Sequence, residues 1–138
     1  MQKADLTREE GELDLNTLVA NLNPSLDDKI YVFISVPLDE GKRVPDFPIK
    51  GLFHEREGCT CIVEKKVADA YGYAYSELFC CLTCEVHSSL NAVGLTAVIA
   101  TTLAKQNISA NVVAGFYHDH IFIPTSDAHR ALSLLNQL

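Results

Sequence analysis

HSSLNAVGLTAVIATTLAKQN (residues 87–107) is the most strongly patterned stretch of the chain. Leu95, Val98, Ile99 and Leu103 recur at helical spacing, which predicts an amphipathic helix from about Leu90 capped by Ser88 or Ser89. Its opposite face is Ala and Thr, small enough to lie close against a sheet. Downstream, Ser109–Phe116 reads as a strand, Tyr117–Asp119 as a tight connection and His120–Pro124 as a second strand. Ser126 then caps a last helix with Ala128, Ala131, Leu132 and Leu135 on its apolar face. Upstream, LFCCLTCEV (78–86) is apolar enough for a buried strand.

The first half continues the pattern. Asp14 is an N-cap for a helix carrying Leu15, Leu18, Val19 and Leu22, stopped by Asn23-Pro24. IYVFISV (30–36) is β-branched and aromatic, hence a strand. PLDEGKRVPDFPIKG (37–51) is a loop, Leu52–Glu57 a short strand, Gly58 a turn and CTCIV (59–63) its hairpin partner. Glu64–Tyr71 is a helix with Val67, Ala70 and Tyr71 on one side, ended by Gly72 in a left-handed conformation. Strands and helices interleave with antiparallel hairpins, so the expected class is α+β, a ferredoxin-like sandwich with helices on one face of a sheet. Neither half holds a full βαββαβ set, so the strand at 78–86 or another element is expected to be shared. The expected division is a loose start (1–12), an N-terminal module (13–77) and a C-terminal module (78–138).

Composition narrows the function. The chain has 138 residues, 48% of them hydrophobic, with 11 Lys plus Arg against 18 Asp plus Glu and a formal net charge of −7. That size suits one compact domain or two small modules. The acidic balance, without a basic run, argues against nucleic acid and against an anionic membrane surface. The N-terminus is charged throughout rather than signal-like, and Ala92–Ala104 is short of the roughly 20 residues that a bilayer needs. The expected location is cytoplasmic. Five cysteines (59, 61, 80, 81 and 84) then read as reduced thiols.

Four constellations carry chemistry. Cys80, Cys81, Cys84, His87, His118 and His120 include a Cys-x-x-Cys, but it lies in a strand where positions 81 and 84 face opposite ways, which favours buried thiols over zinc. A Cys84 nucleophile with His118 or His120 lacks any sign of a lowered thiol pKa. No metal, cofactor or catalytic residue is therefore expected, and the chain reads as a non-enzyme. His87-Ser88-Ser89, leading into a helix N-terminus with Gly94 one turn in, can receive a small anion such as a carboxylate. GFYHDH (115–120) places Asp119 at a strand connection, where it can accept hydrogen bonds from an ammonium group or simply bond its own turn. Together the last two match both charged ends of an α-amino acid.

EVHSSLNAVGLTAVIATTLAKQNISANVVAGFYHDHIFIP (85–124), DLNTLVANLNPSLDDKIYVFISV (14–36) and FHEREG (53–58) resemble a bacterial family of small ACT-domain proteins, from Leu13 to the C-terminus. The resemblance implies two ACT-like modules packed together, similar to the tandem units of aspartate kinases and of the cytosolic arginine sensor of animals. It implies an amino-acid ligand held between modules, a sensor or regulatory role, a homodimer paired along sheet edges, and a regulated protein on a separate chain. Carried over by motif position, the ligand-binding residues are His87, Ser88, Ser89, Val93, Gly94, Leu95 and Thr96, then Val113, Ala114 and Gly115, with Asp119 on the ammonium. The first alternative is a protein–protein interaction module that has kept the fold and lost its ligand; the second, ranked below it, is an enzyme using a Cys/His pair or a metal.

Overall fold

The structure is a computed structural model that describes residues 11–37 and 45–138. Its elements are α1 (Leu15–Ala20), β1 (Pro24–Leu26), β2 (Tyr31–Val36), β3 (Gly51–His54), β4 (Cys59–Glu64), α2 (Lys65–Tyr71), β5 (Phe79–Cys84), α3 (Leu95–Ala104), β6 (Asn111–Ala114), β7 (Asp119–Pro124) and α4 (Ala128–Asn136). They form two compact units, whose described residues are 28–37 with 45–79 in one and 11–27 with 80–138 in the other.

The 28–79 unit has the strand order β3-β4-β2, antiparallel throughout. Alternate residues of its strands, Val32 and Ile34 with Cys59, Cys61 and Val63, meet Val67 and Ala68 of α2 in one buried cluster. Phe47 and Ile49, from the loop ahead of β3, pack against the same cluster. Where the sequence predicts Val67, Ala70 and Tyr71 as the inner face of α2, the buried pair is Val67 and Ala68, and Tyr71 is exposed. The helix is only seven residues long, two turns, so periodicity alone defines its buried face weakly. Gly72 ends it at φ +73, as its sequence position predicts.

The other unit holds the second half of the chain and an N-terminal contribution. β5, β7 and β6 lie in that order, and β1 pairs antiparallel with β5, Pro24 opposite Cys84 and Leu26 opposite Leu82. Read along the unit, β5-α3-β6-β7-α4 is completed by β1 as the fourth strand, which is the ferredoxin-like layout. Leu18 and Leu22 join Leu82, Cys84, Leu95, Ile99, Leu103, Ile121, Ile123, Ala131 and Leu135 in a single core. Residues 13–27, assigned from sequence to the first module, are thus built into the second unit. The physical reason is that α1 and β1 bury their apolar side chains there and satisfy the free edge of β5. Gly11 and Glu12 are likewise not loose: Glu12 bridges to Ser88. The rest of the predicted loose start, residues 1–10, lies outside the described residues.

Two predicted caps are absent. α3 starts at Leu95 rather than near Leu90, with Gly94 at its N-cap (φ +103), so Ser88 and Ser89 sit in the loop before it. Ser126 lies in a 3-10 turn (Thr125–Asp127) that precedes α4. At the first of these places the serine oxygens are used otherwise, Ser89 Oγ by the turn N–H of Asn91 and the Ser88 hydroxyl by Asp119.

Candidate functional site

The loop between β5 and α3 is held at its start by backbone bonds that continue the β1–β5 pairing, Glu85 N–H to Asn23 O at 3.2 Å and Val86 N–H to Leu22 O at 3.3 Å. Ser89 shapes the far part, its hydroxyl accepting from Asn91 N–H (3.1 Å) and its carbonyl from Ala92 N–H (3.0 Å). Gly94 then turns the chain into α3. Its positive φ favours glycine, and a Cβ there would stand 3.0 Å from Leu15 Cδ2. With a glycine as N-cap, no side chain at that position covers the first N–H groups of the helix.

Facing this helix start is the first residue of β7. Asp119 pairs with Ala114 through the backbone, and its carboxylate lies beneath the loop, 7% exposed. Ser88, 6% exposed, donates its hydroxyl to Asp119 Oδ2 at 3.2 Å. Ser88, Ser89, Leu90, Ala92, Leu95, Thr96, Ala114 and Asp119 enclose a cavity of about 70 Å³. Among the described residues no Lys or Arg forms an ion pair with Asp119. A buried carboxylate with one hydroxyl donor keeps unused acceptor capacity and an uncompensated charge. That charge reaches Cys84, whose thiol is pushed up to about 12, first by burial and then by Asp119.

Six of the residues predicted to bind ligand therefore come together: Ser88, Ser89, Leu95, Thr96, Ala114 and Asp119. The rest do not line the cavity. Val93 is 83% exposed. Val113 alternates with Val112, which packs on the core, so its side chain lies on the other sheet face, opposite His120. Gly115 serves the β6–β7 turn: its N–H donates to His118 O at 2.9 Å, and a Cβ would meet that oxygen at 2.8 Å. The His87 ring packs on Tyr117, 5.0 Å between centroids, and its buried Nε2 has no hydrogen-bond partner among the described residues. Leu90 and Ala92 are lining residues that motif position missed. The signal for them was present, since they continue the same loop.

Two larger hollows lie elsewhere. One of about 480 Å³ runs along the ends of α1 and α4 and is lined by Asn, Leu and backbone groups. One of about 280 Å³ at the start of α2 is lined by Lys65 and Asp69, already paired at 2.9 Å, with Lys66, Glu64 and Ile30. Neither buries a charged group. The cysteines are all thiols. Cys84 faces the core with Leu82, and Cys61 and Cys59 sit together with sulfurs 3.9 Å apart, burial pushing the Cys61 thiol up to about 11. Among the described residues no three of His, Cys, Asp and Glu converge as a metal site would need. His120 Nδ1 lies 2.9 Å from Thr83 Oγ1. Among the described residues no helix is long and apolar enough to cross a membrane.

Comparison with known proteins agrees with this architecture. Two ACT domain models match the chain, over residues 10–81 and 78–137. A Vibrio cholerae protein of unknown function, described as a possible transport protein, is 41% identical with a TM-score of 0.79, covering 89% of this chain and 94% of its own. An Agrobacterium tumefaciens protein shares 13% identity at a TM-score of 0.68, covering 83% of this chain and 86% of its own. The ligand-free regulatory subunit of Thermus thermophilus aspartate kinase shares 12% at 0.58, covering 83% and 95%. At such identities the last two report the fold alone. Among curated proteins none matches. The family models split the chain near residue 80, whereas the compact units place α1 and β1 with the C-terminal half. With two ACT domain matches spanning nearly its whole described length, the chain belongs to the ACT domain family, as a small protein with two such domains in tandem.

Proposed function

We propose that this protein is a non-enzymatic amino-acid sensor. The cavity at the start of α3 receives the ligand head group. Asp119 takes the ammonium in a charge-assisted bond, and the N–H groups at the start of α3, with the Ser89 and Thr96 side chains, take the carboxylate. The observation that carries the reading is the buried Asp119, which pairs with no Lys or Arg among the described residues, beside a helix start without a side-chain cap. A cavity of about 70 Å³ suits the head group and a short side chain, with larger side chains passing outward over exposed Leu90. The regulatory fold of the aspartate kinase subunit supports the role, which would be exercised on a separate protein in the cytoplasm. A homodimer is part of the proposal: β6 (NVVA) ends the strand order and has no charged residue to discourage edge pairing. Light scattering behind size exclusion checks it, and a monomer at all concentrations would remove it.

The deciding experiment is a thermal-shift screen against the twenty amino acids. A ligand that binds only the folded protein stabilises it by about 2.7 kcal/mol at a hundredfold excess over Kd. A clear hit is expected, and Asp119→Ala should abolish it. A flat screen would replace the sensor with a ligand-free interaction module.

A further inference from the structure

Gly11–Asp14, ahead of α1, reaches the same loop from outside. Glu12 forms a parallel bridge with Ser88. Its N–H donates to His87 O at 2.8 Å and its carbonyl accepts from Ser89 N–H at 2.9 Å. The bridge thus engages the residues on either side of Ser88 and leaves the peptide groups of Ser88 itself on the far side. Contacts at both ends flank it. Gly11, at φ +80, lies so close to His87 that a Cβ would stand 2.7 Å from ring Cδ2 and from the carbonyl oxygen. Leu15 lies against Gly94, at the other end of the loop. The Glu12 carboxylate turns back on its own segment, accepting from Leu13 N–H (3.1 Å) and Asp14 N–H (2.9 Å), which stiffens the entry to α1. One N-terminal segment therefore fastens both ends of residues 87–94, and Ser88, held between them, is the donor to Asp119.

We propose that Gly11–Leu15 is a strap that positions the Ser88–Ser89 wall of the pocket, and that strap docking and amino-acid binding strengthen each other. This rests on the amino-acid reading of the site. Residues 85–94 are irregular, so a docked strap selects one of their conformations, and a ligand touching Ser89, Thr96 and Asp119 needs that same conformation. Linkage makes the effect reciprocal: what the strap adds to ligand affinity, the ligand adds to strap docking.

The Ser89 amide reports docking directly, because its acceptor is Glu12 O. Its hydrogen exchange is measured in the full chain with and without an equimolar mixture of the twenty amino acids, alongside the thermal shift. The mixture should slow that amide and the Glu12 amide together, by about tenfold, within the range for coupled sites. Gly11→Ala should free the Ser89 amide and weaken the thermal-shift affinity by about the same factor, with β7 amides still protected. Glu12→Gln, which keeps the main-chain bonds, should bind as the wild type does. A thermal shift without a change at the Ser89 amide would overturn the strap and leave the sensor standing. Loss in Glu12→Gln as large as in Gly11→Ala would also overturn it, since the effect would then belong to the carboxylate charge. No thermal shift in the wild type would remove both.

Discussion

Asp119 is costly as it stands. A carboxylate 7% exposed, with one hydroxyl donor and no cation among the described residues, has lost most of its hydration. Asp119→Asn keeps an oxygen for Ser88 and removes the charge, so the ligand-free protein should unfold at equal or higher urea, by up to about 1 kcal/mol, while binding is lost. A clear loss of stability would mean that the charge is already satisfied. Cys84 yields a pH prediction. Its thiol has an ordinary value of 9.0 and is pushed up to about 12 in the fold. Above pH 9 the unfolded chain releases that proton and the folded chain keeps it, so the unfolded state binds fewer protons and stability falls as pH rises. The slope from this thiol is at most about 1.4 kcal/mol per pH unit. Urea midpoints at about pH 8 and about pH 10 should converge in Cys84→Ala relative to the wild type.

Among the elements, the two glycines at helix ends separate conformational cost from packing cost. Gly72, at φ +73, has open space around its missing Cβ. Gly72→Ala should cost about 1 kcal/mol, from left-handed backbone alone. Gly94→Ala should cost more, because Leu15 must also move. Chemical denaturation of the two variants tests the order. α1 has a pH signature. Asp14 accepts from the Thr17 hydroxyl (2.7 Å) and N–H (2.9 Å), which lowers its carboxyl below the ordinary 3.8. The cap's contribution is present at neutral pH and fades as pH falls through that lowered value, so Asp14→Ala should differ from the wild type at pH 7 and not at strongly acid pH.

For the whole molecule, the notable feature is that each core is closed separately, one of them by residues from the far end of the chain. Leu18 is fully buried among residues of α3, α4, β5 and β7. Leu18→Ala should cost about 2–5 kcal/mol and lower hydrogen-exchange protection in β7. Val63→Ala, in the other core, should lower protection in β4 instead. The reverse pattern would contradict the exchanged assignment of residues 11–27.

The sequence by itself determined most elements, because their signals are local. Leu95, Ile99 and Leu103 are four residues apart, Gly72 supplies the left-handed residue that ends a helix, and CTCIV alternates with the strand period. It also singled out Asp119 at a strand connection, and the fold buries that residue beneath the loop before α3, beside Ser88. Only the tertiary structure decided the rest. β1 is three residues long, begins with proline, and exists because β5, over fifty residues away, offers an edge. The start of α3 moved from Leu90 to Leu95 because the loop is held by Asn23, Leu22 and Glu12, none of them near it in sequence. His87, Val93, Val113 and Gly115 share a motif with the pocket residues, yet they are not among the residues that line the cavity, and strand alternation, turn packing and exposure account for where their side chains lie. Spacing along the chain encodes periodicity, whereas the direction in which a loop side chain points depends on distant partners.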